Sequence, residues 1–393
     1  MDDKSKVRNE SAKTQRVAKA FTRRTVLKSA AATVALAGAA PLFVKGGLAS
    51  SGEVNVYAWS DYIWPEMIES FESKTGIKVN LSKYGSNDEV LTKLKASKGK
   101  GFDLVFPSVD TGPTWYQSGD LLQPLDLKKI NVDAIIPSLM KKSKELGAVF
   151  RRKRYLIPFD WGTEAMIFDS SQRDYKYGTM SYGDLWSEEN KGLITVRQKS
   201  AIITLGLYFD RTGQVPSNRL RDLYKDETTA RGIYEKIMPF AIEHKSWVRQ
   251  FWNNTQETLN AFYQNNAIVG QCWDGPSLRM MKETKGRLRY LMPVEGGLAW
   301  TDTMGIPSGA ENVEQAYAFI NHLLTPEMGG ILGNKAGYNS AVVGAADYLE
   351  PEGKEAFKSA YPDDAIDNLW WWLPSPAWWA ALRAEYVDKW NAA

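Results

Sequence analysis

From Glu53 onward the chain alternates period-two apolar runs with segments of helical spacing, and this alternation restricts the fold more than any other feature. Glu53–Trp59 alternates polar and apolar residues, which predicts a strand. Pro65–Lys74 places Met67, Ile68 and Phe71 on one helical face, with Gly76 suited to the helix end. Ile77–Leu81 reads as a second strand, Asp88–Ala96 as a second helix and Phe102–Pro107 as a third strand. The pattern resumes with short strands at Tyr155–Pro158, Ala165–Phe168 and Leu193–Val196, and a helix near Ala201–Phe209. Ala267–Trp273 is an apolar strand running into an expected turn at Asp274-Gly275-Pro276. A strand over Trp300–Ile306 and an amphipathic helix over Val313–Leu324 follow. Strands separated by helices of this length predict βαβ units and mostly parallel sheets. A chain of 393 residues exceeds one ordinary core and suits two bodies. In open sheets of this kind ligands sit beyond the carboxyl ends of the strands.

The first fifty residues read differently. A polar, basic stretch leads to Thr22-Arg23-Arg24-Thr25-Val26-Leu27-Lys28, then an Ala-rich apolar run from Ala30 to Val44. Small residues at Gly47 and Ala49 offer a cleavage site before Ser50. Paired arginines, a nearby leucine and a weakly apolar core resemble a twin-arginine (Tat) export signal over residues 1–50. A membrane anchor is the competing reading. The run is short of the roughly 20 residues a span needs, and it holds Gly38 and Pro41. The expected product is exported through the Tat translocase to the periplasm.

Charge follows from the same division. Residues 1–50 carry ten Lys/Arg against three Asp/Glu, so of the total +3 the remainder holds −4. A mildly acidic body gives no electrostatic reason to expect nucleic acid. One cysteine (Cys272) and two histidines (His244, His322) exclude an intrachain disulfide and leave little for metal or acid–base chemistry, so no cofactor is expected. Neither Gly-x-Ser-x-Gly nor a glycine-rich phosphate loop occurs. A Tat-exported enzyme is therefore the remote alternative, and the basic loop Arg151–Arg154 reads as a solvated hairpin tip.

A series of motifs carries a resemblance. Val56-Tyr57-Ala58-Trp59-Ser60-Asp61-Tyr62 opens it, followed by Phe71-Glu72-Ser73-Lys74-Thr75-Gly76-Ile77 and Gly101-Phe102-Asp103-Leu104-Val105-Phe106-Pro107-Ser108. Ile157-Pro158-Phe159-Asp160-Trp161-Gly162, Val269-Gly270-Gln271-Cys272-Trp273, Trp300-Thr301-Asp302 and Gly337-Tyr338 follow in order. Together they resemble the spermidine/putrescine-binding proteins of ABC importers. The resemblance implies a two-lobe α/β periplasmic binding protein of type II, with the ligand in a cleft between lobes. It implies lobe one over 53–160 and 300–346, and lobe two over 161–299 and 347–393. It also implies a monomer that closes on a small amine and docks on a membrane permease; service to a chemoreceptor is a further option.

By position, the family's aromatic walls fall on Trp59, Tyr62, Trp273 and Trp300, with Tyr338 nearby, and its ammonium-binding acid on Asp302. Each aromatic has a plain alternative as core packing. Trp59, Trp273 and Trp300 nevertheless sit at strand ends beside polar turns, where pockets form. Asp302 follows Trp300 by two residues, so on a strand both point to one face. Ser60 and Ser108 are candidate hydrogen-bond donors. After the Leu193–Val196 strand the chain departs from the family, setting Arg197-Gln198-Lys199-Ser200 where the family places acids. If Arg197 faces the cleft, the ligand carries an anion as well as an amine, as an amino acid, 4-aminobutyrate or an opine-like compound does. If it faces solvent, a diamine is expected. Asp160, Glu164 and Asp274 are further acids near the expected cleft. The cluster Trp370-Trp371-Trp372 reads as part of a helix packed across lobe two, with one ring available to reach the ligand.

Overall fold

The computed structural model describes residues 52–117 and 120–393, so the expected export signal lies outside the described residues. No helix among them is long and apolar enough to cross a membrane.

The first body begins with β1 (Glu53–Trp59), α1 (Pro65–Thr75), β2 (Lys78–Tyr84), α2 (Asn87–Ser97) and β3 (Leu104–Val105). Local chemistry sets these bounds. Pro65 opens α1, where its missing N–H has no partner to lose. Gly76 ends the helix at φ 71°, donating its N–H to Glu72 O. Ser86 caps α2 by accepting from the Glu89 amide. Met67 and Phe71, one turn apart, bury the inner face of α1 against the sheet, whose order is β2-β1-β3, all parallel.

The second sheet departs from the mostly parallel expectation. It is built around β4 (Ile157–Asp169), a single buried strand of 13 residues where two short strands were expected. Pro158 and Gly162 look like interruptions in sequence, and the structure absorbs both. After β4 come β5 (Ile194–Val196), α3 (Gln198–Arg211), β6 (Val248–Phe251), β7 (Val269–Trp273) and α4 (Asp274–Glu283). Then follow β8 (Leu288–Leu291), β9 (Leu298–Met304), α5 (Val313–Leu323), β10 (Asn339–Ser340), β11 (Trp370–Trp371) and α6 (Ala377–Ala392). The sheet order is β11-β9-β4-β7-β5-β6. Neighbours β9, β7, β8 and β10 all run antiparallel to β4, while β5 is parallel to β6 and β7.

The antiparallel pair β4/β9 joins the two bodies. Beyond Met304 the chain returns to the first sheet, where Gly305 and Val105 exchange hydrogen bonds at 2.9 Å. Register shifts at Asp302/Thr303, so that Asp302 opposes Asp160 and Thr303 opposes Pro158. A bulge tolerates a residue that cannot donate to the ladder and re-aims its neighbours. One apolar core packs α1 onto β1 and extends beneath the crossing strands; a second holds Ile202 and Ile203 of α3 with Trp379 and Trp390 of α6.

Three further expectations change. Asp274-Gly275-Pro276 is the first turn of α4, not a free turn: Asp274 accepts from the Gly275 amide, and proline is at home in a first turn. A side chain at Gly275 would strike the Tyr338 ring. Trp370 and Trp371 form an edge strand paired with β9, and the helix behind them starts only at Ala377. Arg151 and Arg152, both at positive φ, turn a small exposed hairpin, as expected of the basic loop.

Candidate functional site

A cleft opens where β1, β3 and β7 end and alongside β9, and the nine binding residues singled out in the sequence, from Trp59 to Tyr338, all line it. Trp300 lies inside β9 and not at its end as expected. Trp59, Ser60 and Tyr62 come from the end of β1 and the turn after it, and Ser108 from the turn after β3. Trp273 ends β7, Arg197 precedes α3, Trp300 and Asp302 lie on β9, and Tyr338 precedes β10.

The aromatic rings form a connected wall. Trp59 donates its indole N–H to Phe106 O at 2.8 Å, which fixes it to the first body. Its ring meets Trp273 edge-on, centroids 6.1 Å apart. Trp300 and Tyr62 each contact Tyr338 edge-on at 5.5 Å. Such contacts hold rings in fixed planes and add ~0.5–1.5 kcal/mol per pair. Gly162 makes room for Trp300, which it opposes across the β4/β9 ladder. A Cβ there would lie 2.4 Å from the indole and 2.4 Å from Asp274 Oδ1.

Beneath the rings lies a carboxylate pair. Asp302 and Asp160 are direct cross-strand partners, so both side chains project from the same face. Asp302 is 3 % exposed and Asp160 fully buried. Tyr62 donates its hydroxyl to Asp302 Oδ2 at 2.5 Å. Neither oxygen of Asp160, nor Oδ1 of Asp302, is satisfied by a donor among the described residues. Burial pushes the Asp302 carboxyl up to about 7, against the stabilising donors Ser108 and Tyr62. Burial, then the charges of Asp302 and Asp274, holds Asp160 well above the carboxylate range. Asn87 positions Ser108 from both sides, accepting from its amide at 3.0 Å and donating to its hydroxyl oxygen at 2.8 Å.

The remaining acids divide. Asp274 does not line the cavity and is satisfied by Tyr361 at 2.6 Å, Asn339 at 3.0 Å and the Gly275 amide, so it braces the junction. Glu164 lines the cavity and accepts from the Ser200 hydroxyl at 2.7 Å.

Arg197 settles its orientation by pointing inward. It is 8 % exposed, with its guanidinium 4.8 Å from the Trp273 ring and 5.7 Å from Trp252. Lys199 and Arg383 join it in lining the cavity. Lys199 stood in the departing motif. Arg383 was not singled out: it comes from α6, one helical turn past Trp379, whose ring it covers at 4.4 Å. The only signal in sequence was a cation spaced to share a helix face with a buried tryptophan. Of the Trp370–Trp372 cluster, Trp372 reaches the cavity and Trp370 is fully buried.

Two bodies joined by paired crossing strands, with a polar-floored aromatic cleft at their junction, define a solute-binding protein. The chain belongs to the bacterial extracellular solute-binding protein family, whose model matches residues 66–361. It is 30% identical over 366 residues to the spermidine/putrescine-binding periplasmic protein of Salmonella typhimurium, covering 91% of this chain and 97% of that one. It is 26% identical to the putrescine-binding periplasmic protein PotF of Escherichia coli, over 81% of this chain and 86% of the other. Among solved structures it is similar to the spermidine/putrescine ABC transporter substrate-binding protein PotD of Streptococcus pneumoniae, with a TM-score of 0.67 and 26% identity. That match covers 87% of this chain and 99% of the other. The family binds solutes and does not turn them over.

Proposed function

We propose that this chain is the periplasmic receptor of an ABC importer and takes a small protonated amine between its lobes. The carrying observation is Asp302 in the cavity wall with Trp59, Trp300 and Tyr338, and Asp160 buried behind it as its cross-strand partner. An ammonium group satisfies unpartnered carboxylate oxygens, and indole faces attract its charge, each worth ~0.5–2 kcal/mol depending on desolvation. The named ligands of the Salmonella and Escherichia relatives have the same chemistry.

In this reading the lobes are 53–160 with 300–346 and 161–299 with 347–393, the borders falling within the crossing strands β4 and β9. Ligand contacts both lobes and so favours the closed form, which a membrane permease then reads. The receptor acts as a monomer in this reading, as the family resemblance implies. Residues 1–50 act as a Tat signal, the reading supported by Arg23-Arg24 and the short apolar run.

The test is calorimetry on Trp300→Ala with putrescine and 4-aminobutyrate. Losing the ring weakens the tighter of the two by roughly tenfold or more, with cooperative unfolding retained. Unchanged affinity for both would remove the site.

A further inference from the structure

We propose that the wall formed by Arg197, Lys199 and Arg383 is an anion subsite, so that the ligand carries a carboxylate at the end opposite its ammonium. This rests on the amine-receptor reading above and narrows its substrate class.

The first ground is helix geometry. Arg197 occupies the N-cap position of α3, a helix of 14 residues, and supplies no capping acceptor. Ser200 and Ala201 donate to the Arg197 carbonyl, whereas the amides of Gln198 and Lys199 lie at the uncapped end. The second ground is independent of the first. Arg197 is more than nine-tenths buried, yet its Nε finds no acceptor among the described residues. Its guanidinium carbon lies 4.8 Å from the Trp273 ring centroid, within cation–π range, in the cavity wall.

Charge balance points the same way. Among the described residues no carboxylate lies within ion-pair distance of Arg197, Lys199 or Arg383. Glu164, on β4, tempers Arg197, and Asp88 and Asp110 act on Lys199 from the other side. These do not compensate: burial, then Arg197 and Arg383, draws the Lys199 ammonium down to about 7. A bound carboxylate relieves that repulsion, and a second ammonium adds to it. The two ends are bridged by rings, from Asp302 through Tyr62, Trp59 and Trp273 to Arg197.

The experiment is calorimetry on the mature protein with 4-aminobutyrate and putrescine, two four-carbon chains that differ at one end. Wild type is expected to bind 4-aminobutyrate at least about tenfold more tightly, as a charge-assisted contact implies. Lys199→Gln and Arg383→Gln are expected to weaken 4-aminobutyrate by roughly tenfold and, by removing a repelling cation, to tighten putrescine. Tighter binding of putrescine by the wild type overturns the anion subsite alone. So does equal weakening of both probes in these variants. Asp302→Asn tests the underlying reading separately: it must weaken both probes, and no effect on either removes the amine site itself. Failure of both probes to bind overturns both.

Discussion

Replacing Asp302 with asparagine separates two pH dependences that run in opposite directions. In the empty protein the Asp302 carboxyl sits up near 7 because burial outweighs its donors. A raised acid binds more protons folded than unfolded, so it favours folding at low pH, and that contribution is lost as pH rises through 7. From the ordinary 3.8 to 7, at 1.36 kcal/mol per unit, the cost at pH 8 is about 4 kcal/mol, and about 3 kcal/mol of it accrues between pH 5 and 7. Asp160, Tyr62, Tyr84, Ser108, Asp110 and Arg197 surround the group. Lys199, drawn down to about 7, loses its proton in the folded protein across pH 7–8, and this contribution, like that of His322, lowered by burial, is common to wild type and variant. The stability difference between Asp302→Asn and wild type therefore grows by about 3 kcal/mol from pH 5 to pH 8 in urea titrations of the empty proteins. Binding runs the other way. An ammonium ligand needs the ionised carboxylate, so wild-type affinity falls tenfold per unit below 7, to about 100-fold by pH 5. The assay uses calorimetry with whichever of putrescine and 4-aminobutyrate binds more tightly. Asp302→Asn loses this slope. Wild-type affinity that stays flat from pH 5 to 8 would refute the role of Asp302, whatever the stability data show.

Two shorter predictions concern the frame and the address. Gly162→Ala drives a methyl into Trp300 and Asp274, and is expected to destabilise the protein by about 1–3 kcal/mol in urea unfolding and to weaken ligand binding as the indole shifts; unchanged stability would mean Trp300 is not held against β4. Replacing Arg23 and Arg24 together with lysine is expected to leave precursor in the cytoplasm by cell fractionation, while normal export of that variant would assign residues 1–50 to another pathway.

How far the sequence disclosed the site depends on what each residue's position required. Trp300 and Asp302 share a face because of a two-residue spacing, and strand geometry makes that visible without a structure. Their opposition to Gly162 and Asp160 is a matter of register, and the bulge beside Pro158 sets it. No local pattern announces a bulge, so Asp160 was legible only as an acid near the cleft. The same residues hid β4. Proline and glycine weaken a strand locally, and here the loss is recovered from a ladder shift and from an indole filling the glycine's space, both supplied by β9. Arg383 was hidden by distance, since it meets Arg197 and Lys199 only after the 183 residues between Lys199 and Arg383 have folded. Likewise Trp370-Trp371 is too short to show periodicity, and β9 decides its conformation by offering a free edge.

The charges of the cleft are arranged so that each end is strained by its own kind. Asp160 and Asp302 are carboxyl groups opposed across a ladder; burial holds both above the ordinary range, and ionising either is opposed by the other. Arg197, Lys199 and Arg383 repel one another, and among the described residues no carboxylate lies within ion-pair distance of them. Arg197 eases the Asp302 charge only in part, because burial outweighs it, and the rings of Trp59 and Trp273 lie between the two ends. A ligand shifts a two-state equilibrium only by its differential affinity for the two states. On the proposed reading a diamine satisfies the acidic end and adds to the repulsion at the basic one. A molecule charged oppositely at its two ends removes both repulsions at once, and only when the lobes bring both ends to it. On the proposed reading, the strain built into the empty cleft is thus what converts recognition of a whole ligand into closure.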